Sequence, residues 1–127
     1  MKLVRFVSAS AFAVAAAAVM AAPAHADVDS IAIADPLGDS YASSCTYQVV
    51  GTATGNSPVS FLQKAPGSAA FTQVGANALP INDGVAFSWT PSTAGKYTLR
   101  LEQGNTSKEA TVDVATGINL GSLCMAL

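Results

Sequence analysis

Histidine is almost absent from this sequence: its 127 residues contain one, His25, close to the N-terminus. Nucleophilic systems of the Ser–His–Asp and Cys–His types need a histidine as general base, and residues 27–127 contain none. A metal site would also lose its commonest nitrogen ligand. We therefore expect no catalytic residue, no cofactor and no metal in this part of the chain, and we do not expect an enzyme.

Charge is also sparse, since Asp, Glu, Lys and Arg together make up 11% of the residues. Residues 27–127 hold all eight acids and four scattered bases, so their net charge is about −4. Nucleic acids and anionic membrane surfaces are bound by clustered bases. The charge pattern therefore excludes both as expected partners. The four bases are Lys64, Lys96, Arg100 and Lys108.

The remaining candidates for chemistry are weak. Ser60 and Lys64 form a formal Ser–Lys pair, but nothing in the sequence places the lysine in a dry pocket. Asp35 and Asp39 offer two carboxylates on one loop, yet acids beside Pro and Gly are typical turn formers. The N-terminal aspartates also lack the spacing of a calcium loop.

Cysteine occurs twice, as Cys45 and Cys124. An even number of cysteines in an exported chain indicates a disulfide, and free thiols that bind a metal are the alternative. The bridge would close a loop of about 80 residues, for which the chain-entropy relation gives ~4.5 kcal/mol of stabilisation. A closed metal site would need further ligands, so the disulfide is the preferred interpretation.

The N-terminus has the order of a secretory signal. A basic start is followed by an apolar run from Phe6 to Ala22 and by the small residues Ala24 and Ala26, which predicts cleavage after Ala26. An uncleaved anchor is the alternative, but the run is mostly alanine and inserts weakly. We therefore expect a signal peptide at 1–26, one domain at 27–127, no membrane span after cleavage, and a secreted or cell-envelope location.

Period-two alternation of apolar residues runs through most of the remaining chain, and no helical period appears. It predicts about seven strands, and two sheets packed face to face. The strands are expected at 27–34, 45–54, 59–63, 69–74, 85–90, 96–102 and 110–114. Residues 79–81 are read as a short edge strand and 41–44 as a connection. The tail, 117–127, is apolar without clean periodicity, and we expect the Cys124 bridge to hold it against the domain.

The inward positions of these strands predict the core. Phe61, Phe87, Trp89, Tyr97 and Leu99 share the buried register and are assigned to packing. A sugar-binding aromatic platform is the alternative for the aromatic members of this set. Phe71 and Tyr41 lie outside the clear register and are the better candidates for surface aromatics.

Three segments resemble the bacterial immunoglobulin-like (Ig-like) domains of secreted and surface proteins. They are Gly55 with Pro-Val-Ser-Phe at 58–61, Gly-Val-Ala-Phe-Ser-Trp-Thr-Pro at 84–91, and Ala-Gly-Lys-Tyr-Thr-Leu at 94–99. The resemblance implies an antiparallel Ig-like β-sandwich, a tyrosine-corner role for Tyr97, and a spacer, adhesion or binding function without catalysis. The chain departs from the family in carrying one copy and a cysteine pair, and Leu99 stands where antibody domains have a cysteine.

Two functions follow as expectations. The first is a secreted, non-catalytic binding or adhesion module that recognises a protein or glycan at the cell surface, for example by strand addition at a sheet edge. The second is a structural component of the cell envelope or extracellular matrix without a discrete ligand. The sequence assigns no residue to ligand binding.

Overall fold

The computed structural model describes residues 26–127, so the predicted signal at 1–26 lies outside the described residues except for Ala26. Within residues 26–127 the chain forms strands and no helix, and hence no helix able to cross a membrane. The strands are β1 (Ala32–Ile33), β2 (Tyr41–Ala42), β3 (Tyr47–Thr52), β4 (Ser60–Lys64), β5 (Thr72–Gln73), β6 (Gly84–Trp89), β7 (Gly95–Gln103), β8 (Thr106–Ala115), β9 (Gly117–Asn119) and β10 (Cys124–Ala126).

The strands form two main sheets and a separate hairpin. One sheet has five strands in the order β2-β8-β7-β4-β5, and the other has three in the order β1-β3-β6. All neighbours are antiparallel except β2, which runs parallel to β8 with Tyr41 opposite Val114. Among the described strands, β9 and β10 pair only with each other.

The two sheets enclose one core because each long strand buries alternate residues. Strand β3 alternates buried and exposed along all six residues, and β7 buries Tyr97, Leu99 and Leu101. Contacts cross between the sheets: the rings of Phe61 and Phe87 are 5.5 Å apart between centroids, and those of Trp89 and Tyr97 are 5.4 Å apart. Each fully buried side chain of this size contributes about 1.5–3 kcal/mol. The predicted all-β sandwich is confirmed.

The predicted disulfide is also confirmed, since Cys45 is bonded to Cys124 with their Cα atoms 5.6 Å apart. Cys45 is buried just before β3, and Cys124 begins β10. The Gly117 N–H also donates to Ser43 Oγ at 3.0 Å, and Asn119 Nδ2 donates to the Ser44 carbonyl oxygen at 3.0 Å. The C-terminal hairpin is thus fixed to the segment that precedes β3.

Seven of the strands lie where the alternation predicts them, but the strand count of about seven is too low. The three additional strands, β2, β9 and β10, have only two or three residues each. Strand β2, with two residues, is too short for a period-two pattern to be seen in the sequence. The 41–44 segment, interpreted as a plain connection, therefore begins with a strand, and the 117–127 tail is a hairpin.

The predicted edge strand at 79–81 does not form. Only isolated bridges occur there, Val59 to Ala78 and Ile81 to Gly84. Pro80 lies between the two bridges and has no N–H to donate to a ladder, which explains why pairing stops on either side of it. Within residues 26–127, the outer side of β6 is therefore paired only at Gly84, through Ile81.

Candidate functional site

The weak catalytic candidates are not brought together. The Ser60 hydroxyl donates to Asn77 Oδ1 at 2.9 Å, whereas Lys64 Nζ lies 5.2 Å above the Phe71 ring. Among residues 26–127, no three His, Cys, Asp or Glu side chains come close enough to hold a metal ion. The hydroxyl and the ammonium thus have separate partners, and the geometry supplies no support for a Ser–Lys nucleophile.

The two proposed surface aromatics are only half exposed. The ring of Tyr41 packs edge-on against Tyr47 with centroids 4.9 Å apart, and burial, with the Asp35 charge and Tyr47, raises the pKa of its phenol. Phe71 lies near two cations: Lys64 Nζ is 5.2 Å and the Arg100 guanidinium carbon is 4.1 Å from its ring centroid. Stacking with a cation covers part of the Phe71 ring, so neither Tyr41 nor Phe71 is a fully open surface aromatic.

The five residues assigned to packing, Phe61, Phe87, Trp89, Tyr97 and Leu99, are all buried. The Tyr97 hydroxyl donates to the Thr93 carbonyl oxygen at 2.9 Å, bonding back to the connection it follows as the tyrosine-corner resemblance implies. Burial raises the pKa of this phenol, but hydrogen bonds with Thr93 and Ser92 outweigh it and leave the pKa below its ordinary value. Trp89 Nε1 donates to Gln63 Oε1 at 2.9 Å.

Within residues 26–127, the outer edge of β6 has no neighbouring strand. The edge strands β1, β2 and β5 have two residues each, whereas β6 has six. Short edges are one way in which proteins prevent unwanted pairing, and charged residues or prolines on the edge are others. Strand β6 reads Gly-Val-Ala-Phe-Ser-Trp and contains neither a charge nor a proline. Strand β8 also has an open outer edge, because β2 pairs only with its last two residues, but the open part of β8 carries Lys108, Glu109 and Asp113. Of the open edges longer than two residues in the two main sheets of residues 26–127, only that of β6 lacks both a charge and a proline.

The direction of the open backbone groups follows from the turn before β6. The N–H and C=O of Gly84 both bond to Ile81, at 3.0 and 2.9 Å, and Ile81 is not part of β3. Backbone groups of an antiparallel strand alternate between the two sides, so those of Ala86 and Ser88 also point away from β3. Two residues of β6 thus present N–H and C=O groups to the open edge.

An apolar groove begins at the same place. It has a volume of about 530 Å³, which is within the range of ligand pockets, and its lining contains no charged residue. Three large apolar side chains with high exposure contribute to it: Val50 at 40%, Leu79 at 58% and Ile81 at 76%. The open strand and the groove together form the candidate site, which we call the β6 groove.

Charge is distributed unequally between the two sheets. Strands β1, β3 and β6 contain no charged residue. The five-stranded sheet carries the ion pairs, in which Arg100 bonds to Glu102 and Glu109, and Lys96 lies 3.3 Å from Asp113. The β6 groove therefore lies on the uncharged sheet of the domain.

A second apolar surface lies on the C-terminal hairpin. Ile118 is opposite Met125 in the ladder, so these residues share one face with the residues two positions away on each strand. That face bears five exposed large side chains, and we call it the hairpin face: Ile118, Leu120, Leu123, Met125 and Leu127. The opposite face, with Cys124 and Ala126, packs towards the core.

Comparison with known proteins adds little to this description. No protein-family model matches the sequence, and no curated protein matches it significantly. Among solved structures, a superoxide reductase (neelaredoxin) from Ignicoccus hospitalis is similar at 11% identity, with a TM-score of 0.48, over 68% of this chain and 81% of that chain. A likeness at this level carries no argument about function.

Both surfaces were missed by the sequence reasoning. Leu79 and Ile81 are separated only by Pro80. A segment of three residues does not indicate whether its apolar side chains are buried or exposed. The apolar tail has an available signal: Leu123, Met125 and Leu127 alternate, as do Ile118 and Leu120 across a Gly-Ser turn. That alternation predicts a hairpin, but not that its apolar face points to solvent.

Proposed function

We propose that this protein is an extracellular, non-catalytic binding module that holds an extended polypeptide segment by strand addition at β6. The observation that supports the proposal most is the six-residue edge strand with open backbone groups at Ala86 and Ser88. In strand addition, backbone hydrogen bonds supply affinity and side-chain pockets supply specificity. The β6 groove offers both kinds of contact.

The groove also favours a polypeptide over a glycan. Sugars are bound by polar side chains and open aromatic faces, and the residues that line the groove are aliphatic or glycine. An added strand instead brings alternate apolar side chains, which Val50, Leu79 and Ile81 can cover. We expect the bound segment to be uncharged and to carry apolar residues at every second position.

The extracellular location rests on the predicted signal at 1–26 and on the cysteine pair. Structural disulfides persist in oxidising compartments and are rare in the cytosol. The resemblance to bacterial Ig-like domains supports the same assignment, because domains of that kind serve as adhesion, spacer and binding units. The absence of histidine from residues 27–127 supports a function without catalysis.

The test is selection from a displayed library of short random peptides by the secreted, disulfide-bonded protein, with a glycan array in parallel. We expect peptides with alternating apolar residues to be enriched. Ala86→Pro removes an edge N–H without removing a bond to β3, so it should abolish retention, while Ala86→Ser keeps the N–H and should preserve it. Ser88→Lys places a charge at the edge and should weaken retention as well.

Two outcomes contradict the proposal. One is retention of peptides that is insensitive to Ala86→Pro and to Ser88→Lys. The other is saturable binding on the glycan array without any enriched peptide, which would favour a lectin-like function elsewhere on the surface. Far-ultraviolet circular dichroism of each variant establishes that it remains folded.

A further inference from the structure

The exposed large apolar side chains of residues 26–127 are confined to two surfaces. Of the nine, three line the β6 groove, five form the hairpin face, and Leu37 lies in a cavity with Met125 and Leu127 beside that face. Monomeric proteins rarely expose contiguous apolar patches unless these bind something. No large apolar side chain is exposed elsewhere in the described chain. The confinement of these side chains to two surfaces indicates that both surfaces are binding surfaces.

The two surfaces differ in shape and have the same chemistry. The β6 groove is concave, with a volume of about 530 Å³, whereas the hairpin face carries Leu120 and Leu123, which are 63% and 43% exposed, beside the smaller cavity that Met125 and Leu127 line. Neither β6 nor the segment 117–127 contains a charged side chain. Leu123, Met125 and Leu127 also alternate, which is the spacing that a segment added beside β6 requires.

The surfaces cannot meet within one molecule. The hairpin is bonded to Cys45 and Ser44, which precede β3, whereas the groove is lined by Val50 and Gly51 near the other end of that strand. A strand of this length separates its ends by roughly 15–20 Å. The disulfide and the hydrogen bonds at Gly117 and Asn119 hold the hairpin at its own end.

We propose that the hairpin face of one copy of this chain packs into the β6 groove of a second copy. The inference rests on the proposed function, strand capture at β6, and identifies the captured segment as the C-terminal hairpin of another copy. A contact between two different surfaces is heterologous, so each added copy leaves one groove and one hairpin open, and copies join head to tail into chains or rings. Self-assembly of this kind would serve a structural component of the envelope or matrix.

The test uses two variants, each of which blocks one of the two surfaces and leaves the other intact. In the hairpin variant, Leu120→Asp and Leu123→Asp place charges on the projecting face. In the groove variant, Ile81→Asp and Ala86→Pro block the concave site. Thr111→Asp, on the exposed outer face of the five-stranded sheet, is the control for an added charge. The oligomeric state of the full secreted protein is measured by sedimentation velocity over a wide range of concentration.

The wild-type protein and the Thr111→Asp control should grow in mass with concentration, and each blocked variant should stay monomeric. Each leucine lost from the interface should weaken association by at least about tenfold. An equimolar mixture of the two variants should form a heterodimer and stop there, because only one intact groove and one intact hairpin remain. Reduction of the disulfide should weaken association in the wild type by releasing the hairpin.

Each other result overturns the inference in a distinct way. A wild-type protein that is monomeric throughout excludes self-association, and if peptides still bind at β6, the proposed function stands. Dimers of the groove variant alone would show hairpin-to-hairpin packing, and dimers of the hairpin variant alone would show pairing of two β6 edges. A mixture that stays monomeric while the wild type assembles would also contradict the head-to-tail contact.

Discussion

Removal of the Cys45–Cys124 bridge should destabilise the fold strongly, because the bridge closes most of the domain into one loop. The two cysteines are 79 positions apart, and the loop between them contains both long strands, β7 and β8. The chain-entropy relation gives ~4.5 kcal/mol for a loop of this length. If the free energy of unfolding falls by about 1–2 kcal/mol per molar urea, the midpoint of unfolding should fall by roughly 2–4.5 M.

The measurement is equilibrium urea unfolding, followed by Trp89 fluorescence, of three forms. These are the oxidised wild type, the chemically reduced wild type, and the Cys45→Ala/Cys124→Ala variant. Because Cys45 is buried, the variant also loses the packing of its sulfur, whereas reduction retains that atom. The reduced wild type therefore isolates the effect of the cross-link. A decrease of its midpoint by less than about 0.5 M would refute the loop-closure reasoning.

Three further substitutions test smaller parts of the structure. Tyr97→Phe removes the hydroxyl that donates to the Thr93 carbonyl and should cost about 1–2 kcal/mol in urea unfolding, whereas Thr93→Ala, which leaves that carbonyl in place, should cost clearly less. Gln103→Leu removes a fully buried amide that donates to two loop carbonyl oxygens at 2.9 Å, and it should lower the free energy of unfolding by about 2–3 kcal/mol. An unchanged urea midpoint would show that these two hydrogen bonds do not stabilise the fold. Gly117→Ala would place a methyl group against the Ser43 carbonyl oxygen and so loosen the contact between the hairpin and that segment. The amides of 117–127 should therefore exchange faster than in the wild type, and an unchanged exchange rate would contradict the close contact at Gly117.

The long strands could be predicted from the sequence because each buries one face against a single core. Strands β6 and β7 carry the clearest alternation, and their inward residues Phe87, Trp89 and Tyr97 are buried where the pattern places them. The pairing of Cys45 with Cys124 could be predicted from the number of cysteines together with the predicted export of the chain. These features depend on local periodicity and composition, which the sequence displays directly.

The candidate site could not be predicted because it depends on which strand lacks a neighbour. Periodicity indicates that 84–89 is extended, but only the tertiary arrangement shows that no strand within residues 26–127 pairs with Ala86 and Ser88 on the outer side. The hairpin face illustrates the same limit. An apolar alternating tail is normally a sign of burial, and here the Cys124 bond turns the small residues of the hairpin inward and leaves Leu120 and Leu123 exposed.

The most direct test of strand capture at β6 is residue-resolved amide hydrogen exchange at low and high protein concentration. The Phe87 amide, which by alternation faces β3, should be protected at both concentrations. The account predicts that the amides of Ala86 and Ser88 exchange freely in the dilute protein and become protected in the concentrated protein or on addition of a selected peptide. Exchange at Ala86 and Ser88 that is already slow in the dilute monomer, or that never changes, would contradict it.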